Sequence, residues 1–212
     1  MQHEGHMGII STKSSLRLQF FWPGMSKDIK KFINNCHECT YFSSDNKSHP
    51  IINVSDSVNE PWDTLAIDFV GPSHRLKDHL FFSVIDYYSR FPFVFVASSL
   101  SSECAIKVLE TLFSMFGFPR KIISDNASAF TSLSFENFIN RCNIMHNFSS
   151  TYYPQSNGTV ERFHRTLKGR MEKMLLENLP FESSLAQCMM DIRSTPHSST
   201  GETPLIDFLV VK

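Results

Sequence analysis

The chain has 212 residues, a net charge of −1 and a sequence pI near 6.7, a balance that excludes nucleic-acid binding by bulk positive charge alone. Any such binding has to rest on local patches, on bound metal or on a further part of the protein. An apolar fraction of 42% supports a real core, no apolar run approaches the roughly 20 residues of a membrane span, and the N-terminus lacks the features of a signal peptide.

The first forty residues read as a small helical unit. Ile29, Phe32, Ile33 and Cys36 recur at the spacing of one helix face, and Trp22-Pro23-Gly24 marks a turn before them. From Thr40 to Pro61 the chain turns polar and reads as a linker, with a short extended segment at Ile51–Val54. A second domain starts near Trp62. Three strands follow at Thr64–Val70, Leu80–Asp86 and Phe91–Ala97, and their short connections suggest an antiparallel meander. A helix over Ser101–Phe116 closes on Gly117, and a strand at Lys121–Ser124 comes next. The remaining elements are a helix near Ser134–Cys142, a strand at Ile144–Phe148, and helices over Gly158–Asn178 and Pro180–Ser194. The order βββαβαβαα predicts an α/β domain with a mixed five-stranded sheet and flanking helices, the order of RNase H-like folds. Twenty phenylalanines imply an aromatic core. Five cysteines without a secretory signal argue against a disulfide framework, and Cys104, Cys142 and Cys188 are read as buried core residues.

Two constellations carry chemistry. A forty-residue helical unit buries too little surface to hold itself together, and a metal is one usual remedy. His3, His6, Cys36 and Cys39 offer the mixed imidazole and thiolate set of a structural zinc site. Cys-x-x-Cys lets both sulfurs reach one ion, and His3 and His6 would face one side of a helical turn. The plainer alternative is a disordered start and an unrelated cysteine pair; a redox role lacks the surrounding βαβ pattern. His37 is left unassigned.

The second constellation is Asp68, Asp125 and Glu161. Taken singly, Asp68 reads as the solvent side of a strand, Asp125 as a turn or cap residue, and Glu161 as an acid favoured by a helix dipole. Together they sit at a strand, a strand end and a helix start, the positions where α/β folds place their sites. Three converging carboxylates suit two Mg²⁺ or Mn²⁺ ions, the arrangement used for in-line phosphoryl displacement.

Here the chain resembles the integrases of retroviruses and LTR retrotransposons, and looks closest to the gypsy class. Between Asp125 and Glu161 lie 35 residues, and between Asp68 and Asp125 lie 56. The matching words are Trp22-Pro23-Gly24-Met25, Asp68-Phe69-Val70-Gly71-Pro72, Ile123-Ser124-Asp125-Asn126 and Tyr153-Pro154-Gln155-Ser156-Asn157-Gly158, the last leading into Glu161-Arg162-Phe163. Thr195-Pro196-His197-Ser198 and Thr200-Gly201-Glu202-Thr203-Pro204 extend the likeness to the tail. The resemblance implies a helical HHCC-type zinc domain over residues 1–41, a linker over 42–61 and an RNase H-like core over 62–212. It implies His3, His6, Cys36 and Cys39 as zinc ligands, and Asp68, Asp125 and Glu161 as catalytic acids holding Mg²⁺ or Mn²⁺. Tyr152, Gln155, Asn157, Arg165 and Lys168 are implied as DNA contacts. The implied activity is trimming of DNA 3′ ends and their joining to target DNA, by a homo-oligomer assembled on DNA. The site of action would be the nucleus, after cytoplasmic passage, with no membrane partner.

Several positions depart from the family pattern. Ala127 and Ala129 replace a usual glycine and a usual amide or acid, Tyr153 stands where histidine is commoner, and His3 lies closer to His6 than usual. No basic C-terminal module follows Lys212. With the near-zero net charge, these leave open a second reading, a host-retained or decayed integrase acting as a non-catalytic nucleic-acid-binding or scaffold protein. The complete triad opposes it.

Overall fold

One mixed sheet organises the larger part of the chain. In the computed structural model, which describes residues 5–41, 58–72, 76, 78–149 and 158–210, the strands are β1 (Thr64–Val70), β2 (Leu80–Asp86), β3 (Pro92–Ala97), β4 (Lys121–Ser124) and β5 (Met145–Phe148). Their order is β3-β2-β1-β4-β5, with β1–β2 and β2–β3 antiparallel and β1–β4 and β4–β5 parallel. The strand bounds match the sequence expectation apart from one residue at the starts of β3 and β5.

By its contacts the chain divides into two compact units: Ile52–His164 with Asp207–Lys212, and Met1–Ile51 with Arg165–Ile206. In the sheet-containing unit, β2 is apolar almost throughout because both its faces are covered. On one face Leu65, Ile67, Phe82, Val84 and Ile122 meet Leu109 and Leu112 of α4 (Ser102–Phe116), Phe130 of α5 (Ser128–Thr131), and Phe135 and Ile139 of α6 (Leu133–Arg141). Ring contacts such as Phe69–Phe130 (5.5 Å, stacked) and Phe113–Phe138 (5.9 Å, stacked) bear out the aromatic core. On the other face Ala66 and Ile85 pack against Val160 and Phe163, in the first turns of α7 (Gly158–Leu176). Local chemistry sets the helix ends. The Ser101 side chain caps α4 by accepting from the Cys104 backbone N–H, Ser132 caps α6 by accepting from that of Phe135, and Gly117 leaves α4 at φ 82°.

The second unit holds α1 (Ile9–Arg17), α2 (Met25–Asn34), α3 (His37–Tyr41) and α8 (Phe181–Ser194). Its N-terminal core is small, with Met25, Ile29 and Ile33 buried against Ile9, Leu16, Trp22 and Cys39. Two side-chain expectations are corrected. Phe32 is 58% exposed, because the buried stripe of α2 runs through positions 25, 29 and 33 and leaves the neighbouring row outside. Cys104 and Cys142 are only partly buried at the margin of the core, while Cys188 is fully buried and its thiol is pushed up to about 12 by that burial. The short helix α9 (Pro204–Leu209) ends the described chain; its Phe208 joins Trp62, Phe91, Phe93 and Phe116 in an aromatic cluster of the sheet-containing unit.

A side-chain and backbone clamp sets β1 level with β4. The Asp63 carbonyl accepts from the N–H groups of Arg120 and Lys121, at 3.0 and 3.1 Å. The Asp63 carboxylate accepts from Arg120 Nε at 2.7 Å and Nη2 at 2.8 Å. Hydrogen bonding from Arg120 holds the Asp63 carboxyl below its ordinary range. A depressed carboxylate contributes stability above its unfolded pKa and loses it as pH falls through the folded value. Arg120→Met is therefore expected to lower unfolding free energy by about 0.5–1 kcal/mol at neutral pH. Urea unfolding of both proteins should show that gap closing as Asp63 is protonated below its ordinary range.

Candidate active site and metal centre

The register sets the strands of two of the three acids side by side. Ala66 pairs with Ile123 across parallel β1 and β4; Asp68 lies two residues further along β1, and Asp125 two residues further along the chain, directly after β4. Glu161 lies in the first turn of α7, one residue after the buried Val160, and is itself exposed. The structure places Asp68 beside His164 of α7 and Glu161 in the first turn of that helix. It does not draw the three acids within 4.8 Å of one another; among the described residues that spacing is reached by His6, Cys36 and Cys39 and by His6, Glu38 and Glu177.

Asp68 has polar company that the sequence reading missed. Ser83 lies directly opposite Asp68 across the antiparallel β1–β2 pair and is fully buried. Its hydroxyl donates to the Asp68 carbonyl at 3.1 Å and accepts from Nε2 of His164 at 2.6 Å. The other ring nitrogen of His164 lies 3.5 Å from Asp68 Oδ2. The available signal was a serine inside Phe81-Phe82-Ser83-Val84 and a histidine one helical turn after Glu161. Asp125 is held by its own turn, Oδ1 accepting from the Ala127 N–H at 3.1 Å. Ala127 itself is extended at φ −61°, so this backbone does not require glycine there. Beside it, His146 Nε2 donates to the Ser124 hydroxyl at 2.9 Å, and burial pushes the His146 pKa down.

Asp86, the competing carboxylate, is committed elsewhere. It is fully buried and accepts from the Trp62 N–H, the Ser89 N–H and the Ser89 hydroxyl. Burial raises its pKa against those hydrogen bonds. Arg165 and Lys168 lie on α7, exposed and partly buried respectively. Tyr152, Gln155 and Asn157 lie outside the described residues, as does His3.

The second unit assembles the soft ligands. His6 is buried in a loop at φ 47°, not on the helical turn expected for it. Cys36 follows α2 and Cys39 lies in α3. His6 Nδ1 stands 3.6 Å from Cys36 Sγ and 3.7 Å from Cys39 Sγ. Zinc at its usual bond lengths in a tetrahedron separates a nitrogen and a sulfur ligand by roughly 3.6 Å, so these three side chains fit the ion. Burial alone would lower the His6 pKa; hydrogen bonding to Cys39 and the charge of Glu177 outweigh it, and the pKa is raised. His37 points away, its side chain 88% exposed.

A five-stranded mixed sheet with one acid inside β1 and another directly after parallel β4, preceded by a helical His/Cys unit, defines an RNase H-like protein with an N-terminal zinc-binding domain. Residues 1–45 match the integrase zinc binding domain family and residues 59–154 the integrase core domain family. The chain belongs to the integrases of LTR retrotransposons and retroviruses. It is 36% identical to an uncharacterized protein of Caenorhabditis elegans, over 95% of this chain and 16% of that protein. It is 30% identical to the Pro-Pol polyprotein of simian foamy virus type 3, over 81% of this chain and 15% of the polyprotein. A Tf2 transposon polyprotein of Schizosaccharomyces pombe is 26% identical over 94% of this chain and 15% of its own length. The chain therefore spans about a sixth of these relatives. Among solved structures, the simian T-cell lymphotropic virus intasome matches with a TM-score of 0.72 at 18% identity, covering 100% of this chain and 72% of that one. The HTLV-2 integrase catalytic core domain in complex with magnesium matches with a TM-score of 0.59 at 22% identity, covering 70% and 97%. These two likenesses are of fold.

Ser83→Ala removes the hydroxyl bonded to both the Asp68 carbonyl and the buried His164 ring. A loss of about 1–3 kcal/mol in unfolding free energy is expected by denaturant titration, against less than about 0.5 kcal/mol for alanine at exposed Ser114.

Proposed function

We propose that this chain is the zinc-binding and catalytic part of a metal-dependent DNA integrase, which trims DNA 3′ ends and joins them to target DNA. The observation that supports the proposal is Asp68 in β1 beside His164 of α7, with Glu161 in the first turn of that helix and Asp125 directly after the neighbouring parallel strand β4. In this reading residues 1–41 form the zinc domain, 42–61 a linker and 62–212 the catalytic core.

Asp68, Asp125 and Glu161 would hold Mg²⁺ or Mn²⁺; their hard carboxylate oxygens suit such ions, and the HTLV-2 core domain is described in complex with magnesium. Bound there, the ions supply charge neutralisation for the attacking and leaving oxygens of an in-line phosphoryl displacement. The chain's own groups do the positioning. β1 carries Asp68 and Asp125 follows β4, Ser83 bonds the Asp68 backbone with the His164 ring beside the Asp68 carboxylate, and the Ala127 N–H bonds the carboxylate of Asp125. Arg165 and Lys168 follow Glu161 by four and seven residues on α7, a spacing that suits contacts to successive DNA phosphates. Tyr152, Gln155 and Asn157 would stack on and hydrogen-bond to a DNA end. Zinc on His6, Cys36 and Cys39, with His3 as fourth ligand, would hold the small helical unit. The working form would be a homo-oligomer on paired DNA ends, acting in the nucleus.

Strand transfer or disintegration of labelled duplex ends with Mn²⁺ tests this. The wild-type chain should join or release ends, and Asp125→Asn, with folding intact by circular dichroism, should fall to background. Equal signal from the two proteins would remove the enzymatic reading and favour a non-catalytic nucleic-acid-binding role.

A further inference from the structure

The His/Cys cluster draws two side chains from the far end of α7. His6 turns Nδ1 toward the two thiols, while its Nε2 lies 2.8 Å from Glu177 Oε1. Lys173 Nζ donates to Cys39 Sγ at 3.5 Å. Lys173 and Glu177 are four residues apart, hence on one side of the last helical turns.

We propose that the end of α7 is a working part of the zinc centre, with Glu177 the positioning residue for His6 and Lys173 the counter-charge for Cys39. The inference rests on zinc binding by His6, Cys36 and Cys39. A histidine that gives its Nδ1 lone pair to a metal must carry its proton on Nε2, and Glu177 Oε1, 2.8 Å from that nitrogen, is the carboxylate within reach of it. The carboxylate thereby fixes the tautomer, orients the ring and makes the imidazole a better donor. The Lys173 ammonium, 3.5 Å from Cys39 Sγ, would offset the negative charge that a zinc-bound sulfur carries. Glu38, the other carboxylate nearby, is placed differently: its Oε2 accepts from the Cys36 thiol at 3.4 Å. Once Cys36 is a thiolate that contact becomes repulsive, so Glu38 does not support the metal-bound state.

The experiment titrates the full chain with Zn²⁺ against a chromophoric chelator, and with Co²⁺ followed by its visible absorption. The proteins are wild type, Glu177→Gln, Glu177→Ala, Lys173→Met and Cys39→Ser. Glu177→Ala should bind Zn²⁺ about 10–100-fold more weakly, with the Co²⁺ bands unmoved because the inner ligands are intact. Glu177→Gln keeps an acceptor oxygen and the side-chain shape, and should fall between Glu177→Ala and wild type. Lys173→Met should also weaken binding. Cys39→Ser should lose the tetrahedral Co²⁺ spectrum. Affinities of Glu177→Ala and Glu177→Gln within about twofold of wild type, with Cys39→Ser still defective, would overturn the role of α7 and leave the zinc site standing. A moved Co²⁺ band in Glu177→Ala would overturn it too, by making Glu177 a ligand. No tetrahedral Co²⁺ spectrum in the wild type would remove the zinc reading itself.

Discussion

The parallel register of β1 on β4 is the constraint on which the rest of the structure depends. Side chains alternate along a strand, so a slip of one residue would turn every side chain of β4 to the opposite face. β4 has only four residues with which to resist such a slip, and its main-chain bonds to β1 are correspondingly few. The Asp63–Arg120 clamp adds two side-chain and two main-chain hydrogen bonds where both strands begin. An Arg–carboxylate pair with two parallel N–H···O contacts fixes geometry as well as contributing energy, and geometry is what this site needs.

The covered face then has to tolerate polar groups inside an apolar layer. Ser83 and His164 are both buried there, and an unbonded polar group in such a place would cost about 1–3 kcal/mol. They meet the cost together, the histidine donating to the serine and the serine donating to the backbone of Asp68. Asp86 shows the opposite use of a carboxylate on the same pair of strands. Its three hydrogen bonds tie the approach to β1 to the turn after β2, and leave its oxygens committed to structure. Two aspartates in similar apolar runs therefore separate by what surrounds them, one opposite a serine under a helix, the other inside a closed turn.

Most of the architecture was legible from sequence because its signals are periodic. The apolar runs of β1 and β2 and the stripe of α4 end at turn and cap residues, and those bounds hold in the structure. The short helices α3, α5 and α9 were not seen: at four to six residues they show no full period. The expectation that Asp68 and Asp125 come together rests on motif spacing, whereas what brings their strands side by side is pairing between residues 57 apart in the chain, such as Thr64 and Lys121. Ser83 and His164 were passed over for a similar reason, since each is ordinary in its own segment and acquires a role only across 81 residues.

The small unit presents the same problem in a stronger form. The apolar cluster of Met25, Ile29 and Ile33 is too small to offset the entropy of ordering three helices, so part of the order has to come from elsewhere. The cluster of His6, Cys36 and Cys39 ties the loop before α1 to α3. The remainder comes from chain more than 130 residues away: Glu177 against His6, Lys173 against Cys39, and the Thr195 hydroxyl oxygen in contact with the sulfur of Met7. Those partners carry no local signature, because a glutamate at a helix end and a lysine one turn before it are what any solvated helix offers. What distinguishes them is that both meet the cluster of His6 and Cys39, and only the folded chain places them there.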